Sequence, residues 1–312
     1  MVSPVSRRAF TAARRLFELG KFSDAERIYR RILKAAPEDS LALHNLAVVQ
    51  FQAGRVYAAV QTLREAASKD PDHPDYFVTM AEMLAHPDFQ AYLNAPFLGP
   101  FNGQELRQAM FRELADAIQP QTIFETGTYR GTTTDFMARN SATHVFTCEL
   151  HPNFFRFCSE RFRGAPNITV AHLDSRTFVR QYVPRFAGAG TSLFYLDAHW
   201  HADDLPLLEE LRLVFEYAPR AAILIDDFQV WDDPGYNFDD YGAARRLTLD
   251  YLSPLDSFGP RYFFPLGSDQ ETGMRRGCIV LTIDPALAGR IAALSRLRPA
   301  PAPAARVPST QR

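Results

Sequence analysis

In the stretch FYLDAHWHADDLPLLEEL, residues 194–211, an apolar run is followed directly by an acid. Asp197 closes the run, and His199, Trp200 and His201 follow within four positions. An apolar strand that stops at a carboxylate and leads into two imidazoles gathers several ionisable groups at one strand end. These groups indicate a binding or catalytic site, whose nature depends on the strands around it.

The sequence around this stretch predicts a parallel sheet. From residue 109 onward, short apolar runs alternate with helical segments, which is typical of an α/β fold with helices on both faces of the sheet. Because the runs are apolar throughout, the strands are expected to be covered on both sides. The runs are TIFETG, HVFTCE, ITVAHLD, SLFYLD, AAILIDD, RYFFPLG and GCIVLTI. They predict a seven-stranded, Rossmann-like, doubly wound sheet that ends in an antiparallel hairpin.

The first 90 residues contain an internal repeat with a period of 34 residues. Three pairs of residues recur at this interval: Gly20 and Gly54, Ala25 and Ala59, and Pro37 and Pro71. Apolar residues follow helical spacing in both copies. This is the period of the tetratricopeptide repeat, in which two antiparallel helices cross at a small residue. The pattern predicts an all-α repeat domain over residues 1–90.

The other segments complete the predicted domain organisation. Residues 91–108 are rich in proline, glycine and asparagine and are interpreted as a linker, with a lid over a ligand site as the alternative. The sheet domain is expected to span residues 109–285. Residues 286–312 predict a short helix followed by a disordered tail rich in proline and alanine.

The composition of the 312-residue chain excludes several classes of protein. A formal net charge of −2 gives no general attraction to nucleic acid, and no apolar run is long enough to predict a membrane span. The three cysteines form no disulfide framework and are typical of reduced thiols. We therefore expect a cytoplasmic protein that binds neither nucleic acid nor membrane.

Ligands of open α/β sheets bind beyond the carboxyl ends of the strands. The first predicted strand leads into ETGTYRGT, residues 125–132, whose glycines allow a ligand to approach the backbone closely. The loop lacks the third glycine of a dinucleotide-phosphate loop, which disfavours a pyrophosphate. An acid at its start, Glu125, suits a ligand with a positively charged head group.

The next two strand ends also carry acids. Glu149 is placed to accept hydrogen bonds from both hydroxyls of a ribose, and Asp174 with Ser175 is placed to meet an adenine amino group. The alternative for each acid is a cap on the following helix. Three such acids after successive strands favour the ligand interpretation.

The ends of the fourth and fifth strands predict a cation site. Asp197, Asp226 and Asp227 follow neighbouring parallel strands, and carboxylates that close together repel unless a cation or a proton separates them. All-oxygen ligation favours Mg²⁺ or Ca²⁺. Helix capping without metal is one alternative. An Fe²⁺ site of Asp197, His199 and His201 is another, because these residues share one side of an extended segment.

The motifs ETGTYRGTT, CEL, YLDAHW and LIDDF, in this order, resemble a class I S-adenosylmethionine-dependent methyltransferase over about residues 100–285. The likeness is greatest to cation-dependent O-methyltransferases, such as catechol O-methyltransferase and the macrolide-sugar methyltransferases. The resemblance implies S-adenosylmethionine and Mg²⁺ as cofactors and assigns residues to each part of the site. The methionine part is assigned Glu125, Gly127, Thr128, Gly131 and Thr132, the ribose Glu149, the adenine Asp174 and Ser175, its ring face Trp200 or His199, and the metal Asp197, Asp226 and Asp227.

The sequence also departs from the catechol enzyme. That enzyme has a lysine base just after this motif, whereas the lysines of this chain are Lys21, Lys34 and Lys69, all in the repeat segment. His201 and His199 are the alternative bases because imidazole titrates near neutrality, and activation by the metal alone is a third route. Asp227 replaces an asparagine of the catechol enzyme, which favours an aliphatic diol over a catechol.

The resulting functional prediction is a cation-dependent O-methyltransferase. Its acceptor is expected to be a hydroxyl of a sugar or of a glycosylated secondary metabolite, held near the metal-bound Asp197. The tetratricopeptide segment is expected to dock a protein partner, a carrier or the larger body of the substrate. Two alternatives stay open: a metal-independent methyltransferase acting, for example, on nitrogen, and an adaptor whose Rossmann-like half is not catalytic.

Overall fold

A computed structural model of the protein describes residues 4–84, 99–199, 204–242 and 245–300. The chain divides into two compact units, described separately below. The first comprises the described residues of Met1–Leu93 and His151–Arg163, and the second those of Asn94–Leu150 and Gly164–Arg312.

The first unit contains the predicted helical repeats. Its helices up to residue 84 are α1 (Pro4–Glu18), α2 (Phe22–Ala35), α3 (Ser40–Gln52), α4 (Val56–Lys69) and α5 (Pro74–Leu84). Gly20 and Gly54 occupy the left-handed region in the turns after α1 and α3, where a residue without Cβ is favoured. Ala25 and Ala59 are fully buried, as expected of small residues at the crossing of two helices.

The second unit is built around a sheet. Its eight strands are β1 (Thr122–Thr126), β2 (His144–Cys148), β3 (Ile168–Ala171), β4 (Ser192–Leu196), β5 (Ala221–Asp226), β6 (Arg261–Pro265), β7 (Cys278–Thr282) and β8 (Leu297–Pro299). Helices along the same part of the chain are α6 (Glu105–Ile118), α7 (Thr132–Arg139), α8 (Pro152–Arg161), α9 (Ser175–Phe186), α10 (Leu207–Tyr217) and α11 (Pro285–Ala292).

The strand order is β3-β2-β1-β4-β5-β7-β6-β8. Strands β1 to β5 are parallel, and β7, β6 and β8 add antiparallel strands at one side. The fold class predicted from the sequence is therefore confirmed. Thr126 pairs with both Cys148 and Leu196, so β1, β2 and β4 end level with one another. Leu196 pairs with Ile225, which aligns Asp197 with Asp226 at the same edge.

The sheet has eight strands rather than the seven that the sequence predicts. Strand β8 comes from the segment assigned to a short helix and tail, because α11 ends at Ala292 and the chain then turns extended along β6. Leu297 is buried there, and Pro299 lies in an edge strand, where a missing N–H is tolerated. Residues 301–312, predicted to be disordered, lie outside the described residues.

Apolar side chains cover both faces of the sheet. Phe124, Phe194 and Ile223 project to one face, whereas Ile123, Leu193 and Leu224 project to the other. This alternation follows from the two-residue period of a strand. It explains why the strand sequences are apolar throughout.

Helix α8, which follows β2 in the chain, belongs to the first unit. There it packs on α5, with the rings of Phe77 and Phe154 edge to face at 5.3 Å between centroids. The Asn153 side-chain amide donates to the carbonyl oxygen of Pro71 at 3.0 Å. Helix α5, which follows the second repeat, is thus covered by α8. Within the described residues, no helix is both long and apolar enough to cross a membrane.

Candidate functional site

The carboxyl ends of β1 and β4 are in direct backbone contact. Asp197 N–H donates to the carbonyl oxygen of Thr126 at 3.0 Å. A Cβ at Gly127 would lie 2.6 Å from the carbonyl oxygen of Asp197, and Gly127 has a φ of +86°. Only glycine fits both constraints without strain. The loop after β1 and the acid after β4 therefore belong to one site.

Side chains of the loop after β1 and of the elements around it hold this region in place. Glu125 is almost fully buried and accepts a hydrogen bond from Thr134 Oγ1 at 2.5 Å. The hydroxyls of Thr128 and Thr147 are 2.6 Å apart. Gly131 has a φ of +70° and precedes α7, which begins at Thr132. The predicted methionine-binding residues are thus contiguous, and Glu125 and Thr128 also stabilise the loop.

The acids after β2 and β3 both accept backbone hydrogen bonds. Glu149 Oε2 accepts from the Tyr129 N–H at 2.7 Å, which ties the loop after β1 to the end of β2. Asp174 Oδ1 accepts from the Thr177 N–H at 3.1 Å and caps α9, whose first residue is Ser175. Burial alone would raise the pKa of Asp174, but hydrogen bonds from Thr177 and the Arg176 backbone lower it overall. Asp174 therefore acts as a helix cap, which is the alternative that the sequence left open for it.

Asp197, His199 and Asp227 form a cluster with the spacing of metal ligands. One ligand atom from each side chain lies within 4.8 Å of the other two. His199 is only 1% exposed, and neither ring nitrogen has a hydrogen-bond partner among the described residues. Asp227 is held at a φ of +53°, a left-handed conformation that is uncommon outside glycine. This cluster is the part of the site that could hold a metal ion.

The charges of the cluster are strongly coupled. Although Asp197 keeps some exposed surface, desolvation of its carboxyl raises its pKa well above the usual range, and the Asp227 and Glu125 carboxylates raise it further. Burial lowers the pKa of His199, which favours the neutral imidazole. Two carboxylates beside a neutral imidazole form a donor set that a cation would stabilise.

Asp226, a predicted metal ligand, is engaged elsewhere. Its fully buried carboxylate forms an ion pair with Arg107 and accepts hydrogen bonds from Tyr195 Oη at 2.6 Å and Asn102 Nδ2 at 3.1 Å. The three-residue cluster does not include it. Asp226 as a metal ligand stays a prediction, and among the described residues it is His199 that joins Asp197 and Asp227 in the cluster. Arg107 and Asn102 were missed from the sequence, since both precede Asp226 by more than a hundred residues.

A second arginine links the cluster to the segment after β5. Arg276 forms ion pairs with Asp227 and Asp239. Its backbone exchanges two hydrogen bonds with the Gln104 side chain, at 2.8 and 2.9 Å. Tyr241 Oη donates to the carbonyl oxygen of His199 at 2.7 Å. Arg276 thus holds the Asp227 side chain in place, and Tyr241 holds the backbone at His199.

Part of the predicted site lies outside the described residues. This applies to Trp200 and His201, and to residues 91–98 of the predicted linker or lid. The following part of that segment is packed: Phe101 is fully buried, and Asn102 reaches Asp226. Both residues adopt left-handed φ angles, of 51° and 59°. Such strain persists only where surrounding contacts enforce it, and the choice between linker and lid for residues 91–108 stays a prediction.

A cavity of about 510 Å³ lies along the segment after β5. Trp231, Tyr236 and Asn237 contribute to its lining. Two of its acids have structural partners, since Asp232 pairs with Arg298 and Asp233 accepts from Ser268. The cavity therefore offers aromatic and amide surface beside two carboxylates that have structural partners.

Comparison with known proteins identifies the repeat segment. Residues 10–74 match the family model for the tetratricopeptide repeat. The predicted nature of the N-terminal repeats is confirmed. No curated protein matches the sequence.

Solved structures similar to this chain include both methyltransferases and repeat proteins. The O-methyltransferase TomG of Streptomyces achromogenes, in complex with SAM, is 15% identical over 56% of this chain and 78% of its own, with a TM-score of 0.40. A Klebsiella pneumoniae protein provisionally named as an O-methyltransferase is 16% identical over 58% of this chain and 80% of its own, with a TM-score of 0.42. The chaperone SycD of Yersinia enterocolitica, with a peptide of YopD, is 20% identical over 28% of this chain and 68% of its own, with a TM-score of 0.27. At these values the likenesses transfer no activity to this chain.

Proposed function

We propose that the protein is an S-adenosylmethionine-dependent O-methyltransferase that acts on a hydroxyl of a sugar or a glycosylated metabolite. The observation that carries the proposal is the close contact of Gly127 with the backbone of Asp197. This contact joins a glycine loop suited to the cofactor to an ionisable cluster suited to the acceptor. In the reaction, the acceptor oxygen attacks the methyl carbon, the carbon–sulfur bond breaks, and the hydroxyl proton passes to a base.

A divalent cation is part of the proposal. Its presence is supported by the buried ring nitrogens of His199, which have no partner among the residues that the structure describes, and by the raised pKa of Asp197, because a positive ion relieves both conditions. Asp197 and Asp227 would hold it together with His199. The ion would lower the pKa of the acceptor hydroxyl and fix its orientation. Arg107 and Arg276 keep neighbouring acids paired, which limits repulsion within the site.

The acceptor class is supported by the cavity after β5. Trp231 is half exposed there, and aromatic faces beside amide groups suit the apolar faces and hydroxyls of a sugar. Asn237 lies two residues before Asp239, whose N–H donates to the carbonyl oxygen of Asp227 at 2.8 Å. A sugar in this cavity would lie on the segment that leads to the cluster.

One observation favours the metal-independent alternative. The ion pair of Arg276 with Asp227 already neutralises part of the cluster without a metal ion. In that case the protein would methylate an acceptor such as an amine, whose nucleophile needs no activation by a cation. Activity that persists in excess chelator would support this alternative.

The repeats are proposed to dock an acidic helical segment of a partner protein. Arg7, Arg8 and Arg15 lie exposed on one face of α1 and form no ion pair within the described residues, and Leu19 on the same face is 62% exposed. A second copy of this face would repel it. A labelled Glu/Leu helical peptide should bind in a salt-sensitive manner, and the charge reversals Arg8→Glu and Arg15→Glu should abolish binding. Equal binding of a Lys/Leu control peptide would contradict the proposal.

The main proposal is tested by calorimetry of S-adenosylmethionine binding to the full chain. Micromolar affinity is expected, together with methyl transfer to a panel of hydroxylated acceptors that chelator abolishes. S-adenosylhomocysteine, which lacks the transferable methyl group, should compete with S-adenosylmethionine for binding. Absence of binding to either compound would reject the methyltransferase function and favour an adaptor role.

A further inference from the structure

The ligand atoms of the cluster, two carboxylate oxygens and one imidazole nitrogen, influence which cation it prefers. We infer that Asp197, His199 and Asp227 bind a first-row transition-metal ion, of which Mn²⁺ is the practical probe, in preference to Mg²⁺. The inference rests on the proposed function for the catalytic role of the ion. The binding site itself rests on the contacts among the described residues.

The first support is the environment of His199. Its side chain is removed from water, yet both ring nitrogens lack a hydrogen-bond partner among the described residues. A buried polar group without a partner destabilises the folded state, because its hydrogen bonds to water are lost and not replaced. One of its ring nitrogens lies within 4.8 Å of carboxylate oxygens of Asp197 and Asp227. A metal ion between these atoms would satisfy a nitrogen that the fold leaves unpaired.

The second support is the engagement of Asp226. An all-oxygen set of three aspartates would suit Mg²⁺. However, both carboxylate oxygens of Asp226 are already engaged, Oδ1 by Arg107 and Oδ2 by Tyr195 and Asn102, so a metal would have to displace a fully buried ion pair. Asp227, in contrast, pairs with Arg276 through Oδ1. Its replacement by His199 changes the donor set from three oxygens to two oxygens and one imidazole nitrogen.

Ligand chemistry then sets the preference. Mg²⁺ strongly favours oxygen donors, whereas imidazole suits Mn²⁺, Fe²⁺, Co²⁺ and Zn²⁺ increasingly well. A set with one nitrogen and two carboxylates therefore favours the transition-metal ions. Mn²⁺ is chosen as the probe because its unpaired electrons report directly on the nuclei of its ligands.

The local charge balance calls for a dication. Asp197, Asp226, Asp227, Asp239 and Glu125 supply five negative charges when ionised, and Arg107 and Arg276 supply two positive charges. A divalent ion would reduce this excess of negative charge. This balance does not distinguish one divalent ion from another, so the selectivity rests on the nitrogen donor.

The experiment is a titration of chelator-treated full-length protein with Mn²⁺, followed by electron paramagnetic resonance. We expect one tight site, at least tenfold tighter for Mn²⁺ than for Mg²⁺ in competition. Pulsed measurements should show coupling of the bound Mn²⁺ to an imidazole ¹⁴N nucleus. His199→Asn should remove this coupling and weaken Mn²⁺ binding at least tenfold. The matched control His172→Asn, at an exposed histidine, should change neither.

Two further variants separate this donor set from the others. Asp227→Asn should weaken Mn²⁺ binding, whereas His201→Asn should retain both the affinity and the nitrogen coupling. The reverse pattern would transfer the site to Asp197, His199 and His201 and would overturn the inference. Equal affinities for Mn²⁺ and Mg²⁺, or absence of nitrogen coupling in the wild-type protein, would overturn it as well.

Failure of the inference is distinguishable from failure of the proposed function. S-adenosylmethionine binding is measured separately in the same metal-free protein. Cofactor binding without a Mn²⁺–nitrogen signal rejects the metal inference alone. A Mn²⁺–nitrogen signal without cofactor binding rejects the methyltransferase proposal and leaves the metal site standing.

Discussion

The two halves of the sheet's carboxyl edge treat their polar groups differently. After β1, β2 and β3, the acids Glu125, Glu149 and Asp174 each accept a hydrogen bond, from α7, from the loop after β1 and from α9, respectively. After β4 and β5, His199 is buried, and neither ring nitrogen has a hydrogen-bond partner within the described part of the chain, while the neighbouring carboxylates repel one another. The acids of the first half have hydrogen-bond partners, whereas the clustered carboxylates of the second half would be stabilised by a cation. Acids in the first half can therefore be structural, and their cofactor roles need a direct test.

The largest effect is expected from the buried ion pair in the second half. Arg107→Met should reduce the free energy of unfolding by about 3–5 kcal/mol, because it leaves the Asp226 carboxylate buried without its counter-ion. Chemical denaturation of the full chain measures this loss. The control is Arg139→Met, which removes the exposed helical partner of Asp135 and should change stability by about 0–1 kcal/mol. Similar losses in both variants would show that Asp226 does not depend on Arg107.

The contact between the two halves gives the next prediction. Gly127→Ala places a Cβ against the Asp197 backbone at a left-handed φ, and we expect a loss of about 2–5 kcal/mol in unfolding free energy. Gly164→Ala is the matched control: its φ is +82°, but no atom lies within 4 Å of the added Cβ. Only the backbone strain, about 1–2 kcal/mol, should remain there. If the two variants lose equal stability, the close contact at Gly127 is relieved by a small shift.

A buried acid between the two halves predicts a pH effect on stability. Burial raises the pKa of Glu210 to about 7, although the nearby hydroxyls of Ser175 and Thr126 lower it in part. The raised value means that folding favours the protonated acid. Stability is therefore lost as the pH rises from the unfolded-state pKa of 4.5 through 7.

The variant Glu210→Gln removes this titration. At pH 8 it should be more stable than the wild type by up to about 3 kcal/mol, and at pH 4 the two proteins should be nearly equal. Unfolding by denaturant at both pH values gives the comparison. A constant difference across the pH range would mean that Glu210 is ionised at neutral pH in the folded protein.

The sequence predicted the edge of the sheet well because the information there is local. Apolar runs followed by acids identify strands and their ends, and the carboxyl ends of parallel strands meet at one edge. The parallel order of β1 to β5 and the alignment of Asp197 with Asp226 follow from these patterns. Strand β8 was missed because three residues in a segment rich in alanine and proline carry no strand pattern.

The division of roles between Asp226 and Asp227 could not be predicted from the sequence. The two residues are adjacent and chemically identical, and only long-range contacts distinguish them. Arg107 and Asn102 precede Asp226 by 119 and 124 positions. Nothing near either residue in the sequence indicates an aspartate partner. Likewise, the lack of partners around His199 is a property of the folded site, so the sequence suggested a base or a ring contact for it as readily as a ligand.

The smallest predicted effect tests the cofactor role of the first half. Glu149→Gln keeps an acceptor for the Tyr129 N–H but removes the negative charge, and we expect S-adenosylmethionine to bind about tenfold more weakly, or about 1.4 kcal/mol. Calorimetry measures this change, and Glu160→Gln, whose acid pairs with Arg163 in α8, is the control expected to bind normally. Unchanged affinity in Glu149→Gln would assign this acid to the loop alone. The proposed ligand-binding groups at this edge would then be those of the second half, Asp197, His199 and Asp227.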